Sequence, residues 1–383
     1  MKKREIYLDN AATTRTDPEV LQAMLPYFTE QYGNPSGIYS LAERNKQALL
    51  EAKKEIATVL NCALEEIYFT SGGSESDNWA LRGVAEANRE KGNHIITTKI
   101  EHHAILNTCK YLEEQGFEIT YLNVDETGTI SLSQLEKSIR PTTILISIMT
   151  ANNEIGTIQP IKQIGEIAKK YHILFHTDSV QAFGHIPIDV ERCHIDLLSA
   201  SGHKFYAPKG IGFLYIREGT NISRLLFGGG QERKMRAGTE NVASIVGIGK
   251  ATSLMNQFMT VYAQKEEALR NYLVYRIRHE IPYVRFNGAN RNRLPNNANF
   301  CFPFLEGETL VIMLDIKGIC VSTGAACSTS SAGPSHVLRA IGLPEAVARS
   351  SLRLTLSHET TKEEIDYTVQ QIKEIVGRLR SMQ

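Results

Sequence analysis

The sequence has few cysteines and no excess of charge of either sign. Its six cysteines among 383 residues show no Cys-x-x-Cys spacing, which argues against a zinc site or a disulfide framework. Lys plus Arg and Asp plus Glu number 42 each, so there is no electrostatic signature of binding to nucleic acid or to an anionic membrane. We therefore predict no metal site, no nucleic-acid partner and a reducing, cytoplasmic environment.

Long apolar runs and nucleotide-binding motifs are also missing. The longest apolar runs, such as 144–146, are strand-sized and far too short to span a bilayer. No apolar stretch follows the charged residues 1–5, as a secretory signal would require. The absence of Gly-x-Gly-x-x-Gly and Gly-Lys-Ser/Thr motifs disfavours a dinucleotide-binding or P-loop fold. We expect no membrane association.

Strand-like apolar runs alternate with amphipathic helices through the first two-thirds of the chain. Strands are predicted at 67–70, 94–97 and 143–149, and Pro160 opens the helix that follows the third of these strands. This alternation predicts an α/β fold with a mostly parallel sheet between helices. After about Gly249 the pattern changes to long helices and a few extended segments, which predicts a second, α+β domain.

The most informative motif is Ser-Ala-Ser-Gly-His-Lys at 199–204. It follows one apolar run, and Asp178 follows another, so both are expected at the carboxyl ends of parallel strands, where open α/β sheets bind ligands. A lysine desolvated there can become a nucleophilic amine, and a carboxylate can pair with a cationic ring nitrogen. Lysine and carboxylate are the minimum that pyridoxal phosphate (PLP) requires. Taken alone, however, Lys204 would be a solvated surface charge far more often.

Three further motifs fall at predicted strand ends. Ser-Gly-Gly-Ser-Glu-Ser at 71–76 lies between a strand and a helix, where glycines and helix N–H groups can bind an anion, or simply make a turn. In Glu-His-His at 101–103, at most one histidine can face a bound ring. Asn-Asn-Glu-Ile-Gly at 152–156 can bind a ligand or form a turn. These motifs favour a functional role for Lys204.

The segment 321–334 consists of mostly small residues, with Cys327 near its middle. Without a large apolar anchor it is expected to form a mobile loop, and a cysteine on such a loop can take a group from a substrate and carry it elsewhere. Cys301 and Cys320 have bulky apolar neighbours and are predicted to be core thiols.

Arg353 alternates with leucines on a predicted strand. An arginine held on a strand is suited to fork onto a substrate carboxylate. The alternative is a surface ion pair of little consequence.

Together these motifs resemble those of the PLP-dependent cysteine desulfurases of the NifS/IscS type, in the class V aminotransferase family. The resemblance extends from Tyr-Leu-Asp-Asn-Ala-Ala-Thr-Thr at 7–14 to the last helix and includes Arg-Ala-Gly-Thr-Glu-Asn at 236–241. It implies a homodimer with the fold-type-I (aspartate aminotransferase-like) architecture. We expect a large PLP-binding domain over 15–252 and a small α+β domain formed by 1–14 and 253–383, which carries the cysteine loop.

The resemblance also implies the roles of the site residues. Lys204 would form the Schiff base with PLP, Asp178 would pair with the pyridinium nitrogen, and His102 would stack on the ring and shuttle protons. Cys327 would receive the sulfur. The remaining implied residues are Gln181 on the phenolic oxygen; Gly73, Ser74, Ser201 and His203 on the phosphate; Thr239 on the phosphate of the other subunit; Asn153 beside the cofactor; and Asn34, Asn153 and Arg353 on the substrate.

The implied reaction converts L-cysteine to L-alanine and passes sulfur, as a persulfide on Cys327, to an acceptor protein for iron–sulfur cluster assembly or tRNA thiolation. Selenocysteine lyase, another class V aminotransferase or β-lyase, and a non-catalytic scaffold of the same fold stay open as alternatives. An aminotransferase needs no loop thiol. Tyr39, Ala42 and Ala207 depart from the family pattern; Tyr39 could alter the cleft mouth, and Ala207 requires a negative φ.

Overall fold

The computed structural model describes residues 5–324 and 333–382, so Cys327 and its immediate neighbours lie outside the described residues. The strands are β1 (Ile6–Tyr7), β2 (Ile67–Thr70), β3 (His94–Thr98), β4 (Glu118–Leu122), β5 (Thr143–Ser147), β6 (Leu174–Asp178), β7 (Leu197–Ser201), β8 (Gly212–Ile216), β9 (Arg285–Phe286), β10 (Asn297–Cys301), β11 (Ile319–Cys320) and β12 (Ser351–Thr355). The α-helices are α1 (Pro18–Met24), α2 (Pro26–Thr29), α3 (Ser40–Leu60), α4 (Gly73–Ala87), α5 (His103–Glu114), α6 (Leu132–Lys137), α7 (Ile161–Lys170), α8 (Val242–Glu280), α9 (Gly307–Ile316), α10 (His336–Ala340), α11 (Glu345–Ala348) and α12 (Lys362–Arg380).

A seven-stranded sheet forms the centre of the larger part of the molecule. Its order is β2-β8-β7-β6-β5-β3-β4, and β8 runs antiparallel to both of its neighbours while the other pairings are parallel. The mostly parallel sheet predicted from the alternating pattern is therefore confirmed. Because β2, β3, β5, β6 and β7 share one direction, their carboxyl ends meet at one edge of the sheet.

Two small sheets belong to a second hydrophobic core. β12, β10 and β9 form an antiparallel sheet, and β1 pairs in parallel with β11. The core beside them combines Ile6 and Leu8 from the N-terminus with apolar residues of the last third of the chain, including Leu352 and Leu354. The N-terminal segment thus packs with the end of the chain.

Helix α8 is common to both cores. Its first half contributes Ile245 and Ile248 to the core under the large sheet, and its second half contributes Leu273 and Ile277 to the second core. Helix α12 begins with a capping box in which Thr361 accepts a hydrogen bond from the N–H of Glu364 and the Glu364 carboxylate accepts one from the N–H of Thr361. No helix within the described residues has the length and apolar character needed to cross a membrane.

Two expectations about individual residues have mixed outcomes. Cys301 is buried, as predicted for a core thiol, but Cys320 is only half-buried because it lies on the two-residue strand β11 beside Tyr7, which is itself exposed. Ala207 is one of the positions that depart from the family pattern, and it was predicted to need a negative φ. The positive φ of the loop after Lys204 falls on Tyr206 (69°) and not on Ala207, so that requirement is met. Tyr39 is exposed.

Candidate active site

The predicted motifs meet at the carboxyl edge of the large sheet. β2 leads into Gly73 and Ser74, β3 into His102 and β5 into Asn153, while β6 ends at Asp178 and β7 leads through Ser201 and His203 to Lys204. Parallel strands place their ends side by side, so one fold-level property brings these motifs together.

The start of α4 forms a cup suited to an anion. Gly72 has a φ of +150°, which residues with a side chain rarely adopt, and a Cβ on Gly73 would lie 2.6 Å from Val180 Cγ2. A Cβ on Gly72 would lie 3.5 Å from Ser201 Oγ, so this hydroxyl lines the same space. The unpaired N–H groups at the N-terminus of this 15-residue helix favour negative charge. Glycine is required here by geometry, and Ser74 is exposed at the cup.

The N-terminal segment covers Lys204. Lys204 Nζ donates hydrogen bonds of 2.8 Å to the carbonyl oxygens of Ala11 and Ala12, and Gln181 Nε2 donates to the same Ala11 oxygen at 2.9 Å. His203 is held nearby, with Nδ1 at 3.1 Å from Thr13 Oγ1. The amine and the amide predicted to contact one cofactor therefore lie beside the same carbonyl group.

Asp178 is a buried carboxylate that a cation would stabilise. Its Oδ1 accepts a hydrogen bond from Val180 N at 2.9 Å. Burial raises the pKa of Asp178 to about 6, and the positive charge of Lys204 opposes that rise. A cationic ring nitrogen placed against Asp178 would favour its ionised form further, so this residue fits the predicted role.

The two adjacent histidines occupy different environments. His102 caps α5, with Nδ1 accepting a hydrogen bond from Ala104 N at 3.1 Å, so the proton of the neutral ring is on Nε2. Burial, followed by the charge of Lys204, lowers the pKa of His102 to about 4. The ring of His103 packs edge-on against His336, with centroids 4.8 Å apart. Of the two adjacent histidines, His102 is therefore the one whose pKa is lowered by the charge of the Lys204 amine.

Arg353 is buried at 3% exposure and paired, contrary to the surface alternative. Its Nη2 donates to Asp9 Oδ1 at 2.8 Å and its Nη1 to the carbonyl oxygen of Asn153 at 2.9 Å. Its Nε has no hydrogen-bond partner among the described residues. A buried guanidinium with an unused donor is equipped to bind a carboxylate. Asn152 makes the neighbouring turn, because its Oδ1 accepts hydrogen bonds from the N–H groups of Glu154 and Ile155. Asn153 is therefore the asparagine that remains for a ligand.

The segment that carries Cys327 starts and ends beside these residues. On its N-terminal side, Ser322 forms a β-bridge with Arg353, and Arg353 N donates to Ser322 O at 2.6 Å. On its C-terminal side, Ser335 caps α10 and donates a hydrogen bond to the buried carboxylate of Glu154. Cys327 itself lies outside the described residues.

Two predicted residues are not joined to the others in this chain. Asn34 is exposed and makes a local turn, in which its Oδ1 accepts from Ser36 N at 2.9 Å. Thr239 is also exposed. It follows Arg236, whose guanidinium forms a forked pair with Glu75 at 2.8 and 3.0 Å. The Thr239 segment is thus anchored to the anion cup of the same chain.

Sequence reasoning missed several acids around the site, of which Asp9 is partly exposed and the others are buried. Asp9 pairs with Arg353, and Glu154 holds the segment after Cys327. Asp77 and Glu101 lie beneath the site, where burial raises the pKa of Asp77 strongly and that of Glu101 to about 8. A signal that could have identified three of these acids is their place within a recognised motif: Asp9 lies in the motif at 7–14, Glu101 in that at 101–103 and Glu154 in that at 152–156. Within the described residues no group of His, Cys, Asp and Glu side chains is arranged to hold a metal ion.

Comparisons with known proteins agree with this geometry. Residues 6–368 match the family model described as aminotransferase class-V. The chain belongs to the aminotransferase class-V family. A protein named cysteine desulfurase IscS from Methanosarcina thermophila is 55% identical over 386 residues, covering 100% of this chain and 94% of the relative. A protein of the same name from Clostridium botulinum (strain Hall) is 53% identical over 381 residues, covering 99% of this chain and 96% of the relative.

A solved structure titled NifS-like protein superimposes with a TM-score of 0.92 at 39% identity, covering 98% of this chain and 100% of that one. The predicted family, fold-type-I class and enzymatic nature are confirmed, and enzymes of this class-V group depend on PLP. The residues present fit that cofactor: the glycine cup suits its phosphate, buried Asp178 suits its ring nitrogen, and Lys204 supplies the amine for covalent attachment.

Proposed function

We propose that this chain is a PLP-dependent cysteine desulfurase that converts L-cysteine to L-alanine and transfers the sulfur to an acceptor protein. The names of the curated relatives support this proposal. The observation that carries it is the β-bridge between Ser322 and Arg353, because the arginine suited to the substrate carboxylate adjoins the base of the segment that bears Cys327. An aminotransferase would use the arginine as well, but it needs no thiol on that segment.

PLP, when bound, supplies an electron sink for the substrate's Cα. Asp178 holds the proton of the ring nitrogen, and Gly73, Ser74, Ser201 and His203 bind the phosphate, with Thr239 reaching in from the second subunit. Gln181 binds the phenolic oxygen. Arg353, with Asn153 and Asn34, orients the substrate carboxylate. The Lys204 amine accepts the Cα proton, which its position beside Asp178 and His102 permits.

The sulfur step belongs to Cys327. Its thiolate attacks the substrate sulfur, so an S–S bond forms while the substrate Cβ–S bond breaks and its electron pair stays on carbon. A proton delivered to that carbon forms the methyl group of alanine, and His102, which carries its proton on Nε2, is the donor. The Lys204 amine returns a proton to Cα, which completes alanine. Cys327 is left as a persulfide for an acceptor in iron–sulfur cluster assembly or tRNA thiolation.

A homodimer is part of the proposal. Large apolar side chains are exposed along α1, α2 and the following loop: Leu21, Leu25, Phe28, Tyr32 and Ile38. Exposed large apolar side chains concentrated in one stretch of chain support a surface that another chain covers. The exposed Thr239 would then meet the phosphate of the second subunit.

The proposal also includes a cytoplasmic location, because six scattered cysteines suit a reducing compartment.

The test compares Cys327→Ala with Cys193→Ala, a half-buried thiol away from the site. Cys327→Ala should keep PLP attached to Lys204, as borohydride reduction and peptide mapping would show, and should lower alanine formation from cysteine roughly a hundredfold or more. Cys193→Ala should match the parent in both measurements. Normal alanine release by Cys327→Ala would instead point to a β-lyase, and a parent protein that is never labelled at Lys204 would contradict the PLP roles.

A further inference from the structure

The turn that carries Asn153 is bound to one face of the small antiparallel sheet. In that sheet Asn299 of β10 lies directly opposite Arg353 of β12, and Asn297 lies two residues before Asn299. Side chains at alternate positions of a strand, and at directly paired positions of neighbouring strands, point to the same face. Asn297, Asn299 and Arg353 therefore share one face, and all three are buried.

These three side chains bind successive carbonyl groups of the turn. Arg353 Nη1 donates to Asn153 O at 2.9 Å. Asn299 Nδ2 and Asn297 Nδ2 both donate to Glu154 O, at 3.2 and 3.3 Å. Each of these hydrogen bonds joins the small sheet to the loop that follows β5 of the large sheet. The guanidinium suited to a substrate carboxylate and the turn beside it are thus held from the same side.

The amide group of Asn299 is itself fixed. Its Oδ1 accepts a hydrogen bond from Asn287 Nδ2 at 2.8 Å, so its Nδ2 is the group that faces the turn. The backbones of these two residues are also joined, since Asn287 N donates to Asn299 O at 2.9 Å. Without the Asn299 amide, Glu154 O would keep only the longer bond from Asn297 among the described residues.

The far end of the turn packs closely against the same strand. Gly156 has a φ of +73°, and a Cβ at this position would lie 2.7 Å from Asn297 Oδ1. Leu294 N donates to Gly156 O at 2.8 Å. Asn153 is therefore flanked by Asn152, which makes its own turn contacts, and by a stretch that the second core holds.

Arg353 has one donor left for a substrate. Its Nη1 and Nη2 are bound to Asn153 O and Asp9 Oδ1, and its Nε has no hydrogen-bond partner among the described residues. The direction of Nε depends on where those two acceptors lie, because a guanidinium is planar and its donors have a fixed geometry. The position of Asn153 O depends in turn on the hydrogen bonds to the next carbonyl, that of Glu154.

We propose that Asn299 is a positioning residue for the substrate-carboxylate site: by binding Glu154 O it holds the Asn153 carbonyl against Arg353 and keeps the guanidinium directed at a substrate carboxylate. The inference rests on the proposed function in taking Arg353 as the residue that binds this carboxylate. Asn299 touches no reacting atom in this assignment.

The experiment uses the PLP-loaded enzyme and two amines as ligands: L-alanine, which has a carboxylate, and ethylamine, which has none. Dissociation constants are measured from the change in cofactor absorbance for the parent, Asn299→Leu, Arg353→Lys and the double variant. Leucine is close to asparagine in shape but has no donor. Thermal unfolding is recorded in parallel.

Asn88→Leu is the matched control. Asn88 is also a buried amide that donates to two backbone carbonyls, those of Val84 and Asn221, at 2.9 and 3.0 Å. It lies at the end of α4 opposite the anion cup. Asn88→Leu should match the parent for both ligands even where it lowers the unfolding temperature.

Asn299→Leu should weaken alanine binding roughly three- to tenfold, as expected for one lost hydrogen bond, and leave ethylamine binding unchanged. Added to Arg353→Lys, it should cause little further loss of alanine binding, because both changes act on one site. If Asn299→Leu does not fold, Asn299→Ala takes its place.

Unchanged alanine binding in Asn299→Leu, or an equal loss for alanine and ethylamine, would overturn the inference and leave the proposed function intact. A full additional loss in the double variant would do the same. If Arg353→Lys binds alanine as tightly as the parent, the role of Arg353 in the proposed function is refuted, and this inference with it.

Discussion

Replacing Asp9 by Asn should strengthen substrate binding while weakening the fold. Asp9 Oδ1 lies 2.8 Å from Arg353 Nη2, and the Arg353 side chain is only 4% exposed. A substrate carboxylate that approaches Arg353 must therefore share a guanidinium whose charge is already neutralised. Asp9→Asn removes the competing charge but keeps the shape of the side chain.

The size of each effect follows from this pair. A hydrogen bond to a charged group is worth about 1.5–3 kcal/mol, and the substrate would regain part of it. We expect KM for cysteine to fall roughly three- to tenfold, which corresponds to about 0.6–1.4 kcal/mol. Because the buried guanidinium loses its counter-charge, the free energy of unfolding should fall by about 1–3 kcal/mol, less than for a fully buried pair because Asp9 is partly exposed.

The assay measures initial rates of alanine formation over a range of cysteine concentrations, together with urea unfolding of each protein. Glu359→Gln is the control, because it breaks the exposed Arg15–Glu359 pair at 3.8 Å and should alter neither quantity. A KM that stays constant or rises in Asp9→Asn, with the fold intact, would refute the assignment of Arg353 to the substrate carboxylate.

Two further predictions concern the cup and the buried histidines. Gly73→Ala should weaken PLP binding roughly tenfold, measured by equilibrium dialysis, because its Cβ would lie 2.6 Å from Val180 Cγ2; Val180→Ala in the same chain should restore part of the loss, and no restoration would contradict the steric reasoning. Burial lowers the pKa of His94 to about 4 and that of His176 to about 3, below the unfolded value of about 6.5. The unfolded chain therefore binds more protons, so the free energy of unfolding should fall as the pH drops from about 6.5 toward 4; a constant value in urea titrations would contradict these pKa shifts.

The elements of the large sheet were predictable because their signals are local. The strand at 67–70 was predicted with the observed bounds, and the strand at 143–149 ends two residues early, at Ser147, because the chain leaves the sheet toward the Asn152 turn. Strand order follows from no local pattern, yet the edge of the sheet was still identifiable, since all parallel strands end on the same side. Lys204 and Asp178 could be placed together for that reason.

Contacts between distant segments were not predictable in the same way. Glu266 lies on a helix that periodicity alone leaves open to solvent at this position, yet its side chain is only 2% exposed. The positive φ of Tyr206 has no signal either, because glycine or asparagine normally marks such a conformation. Both features exist only in the packed molecule, so tertiary structure decides them.

The N-terminal segment shows most clearly why the complete site cannot be predicted from local sequence patterns. The carbonyl oxygens of Ala11 and Ala12 accept from the Lys204 amine, Asp9 neutralises Arg353, and Thr14 fixes the backbone of Tyr206. β1 pairs with β11 in the second core, so this segment is held by one core while it contacts the sheet edge of the other. Any shift between the two cores must therefore alter the Lys204 and Arg353 environments together. The amine and the guanidinium are coupled through the four residues 9–12, which explains why the chain brings its first strand back to its last third.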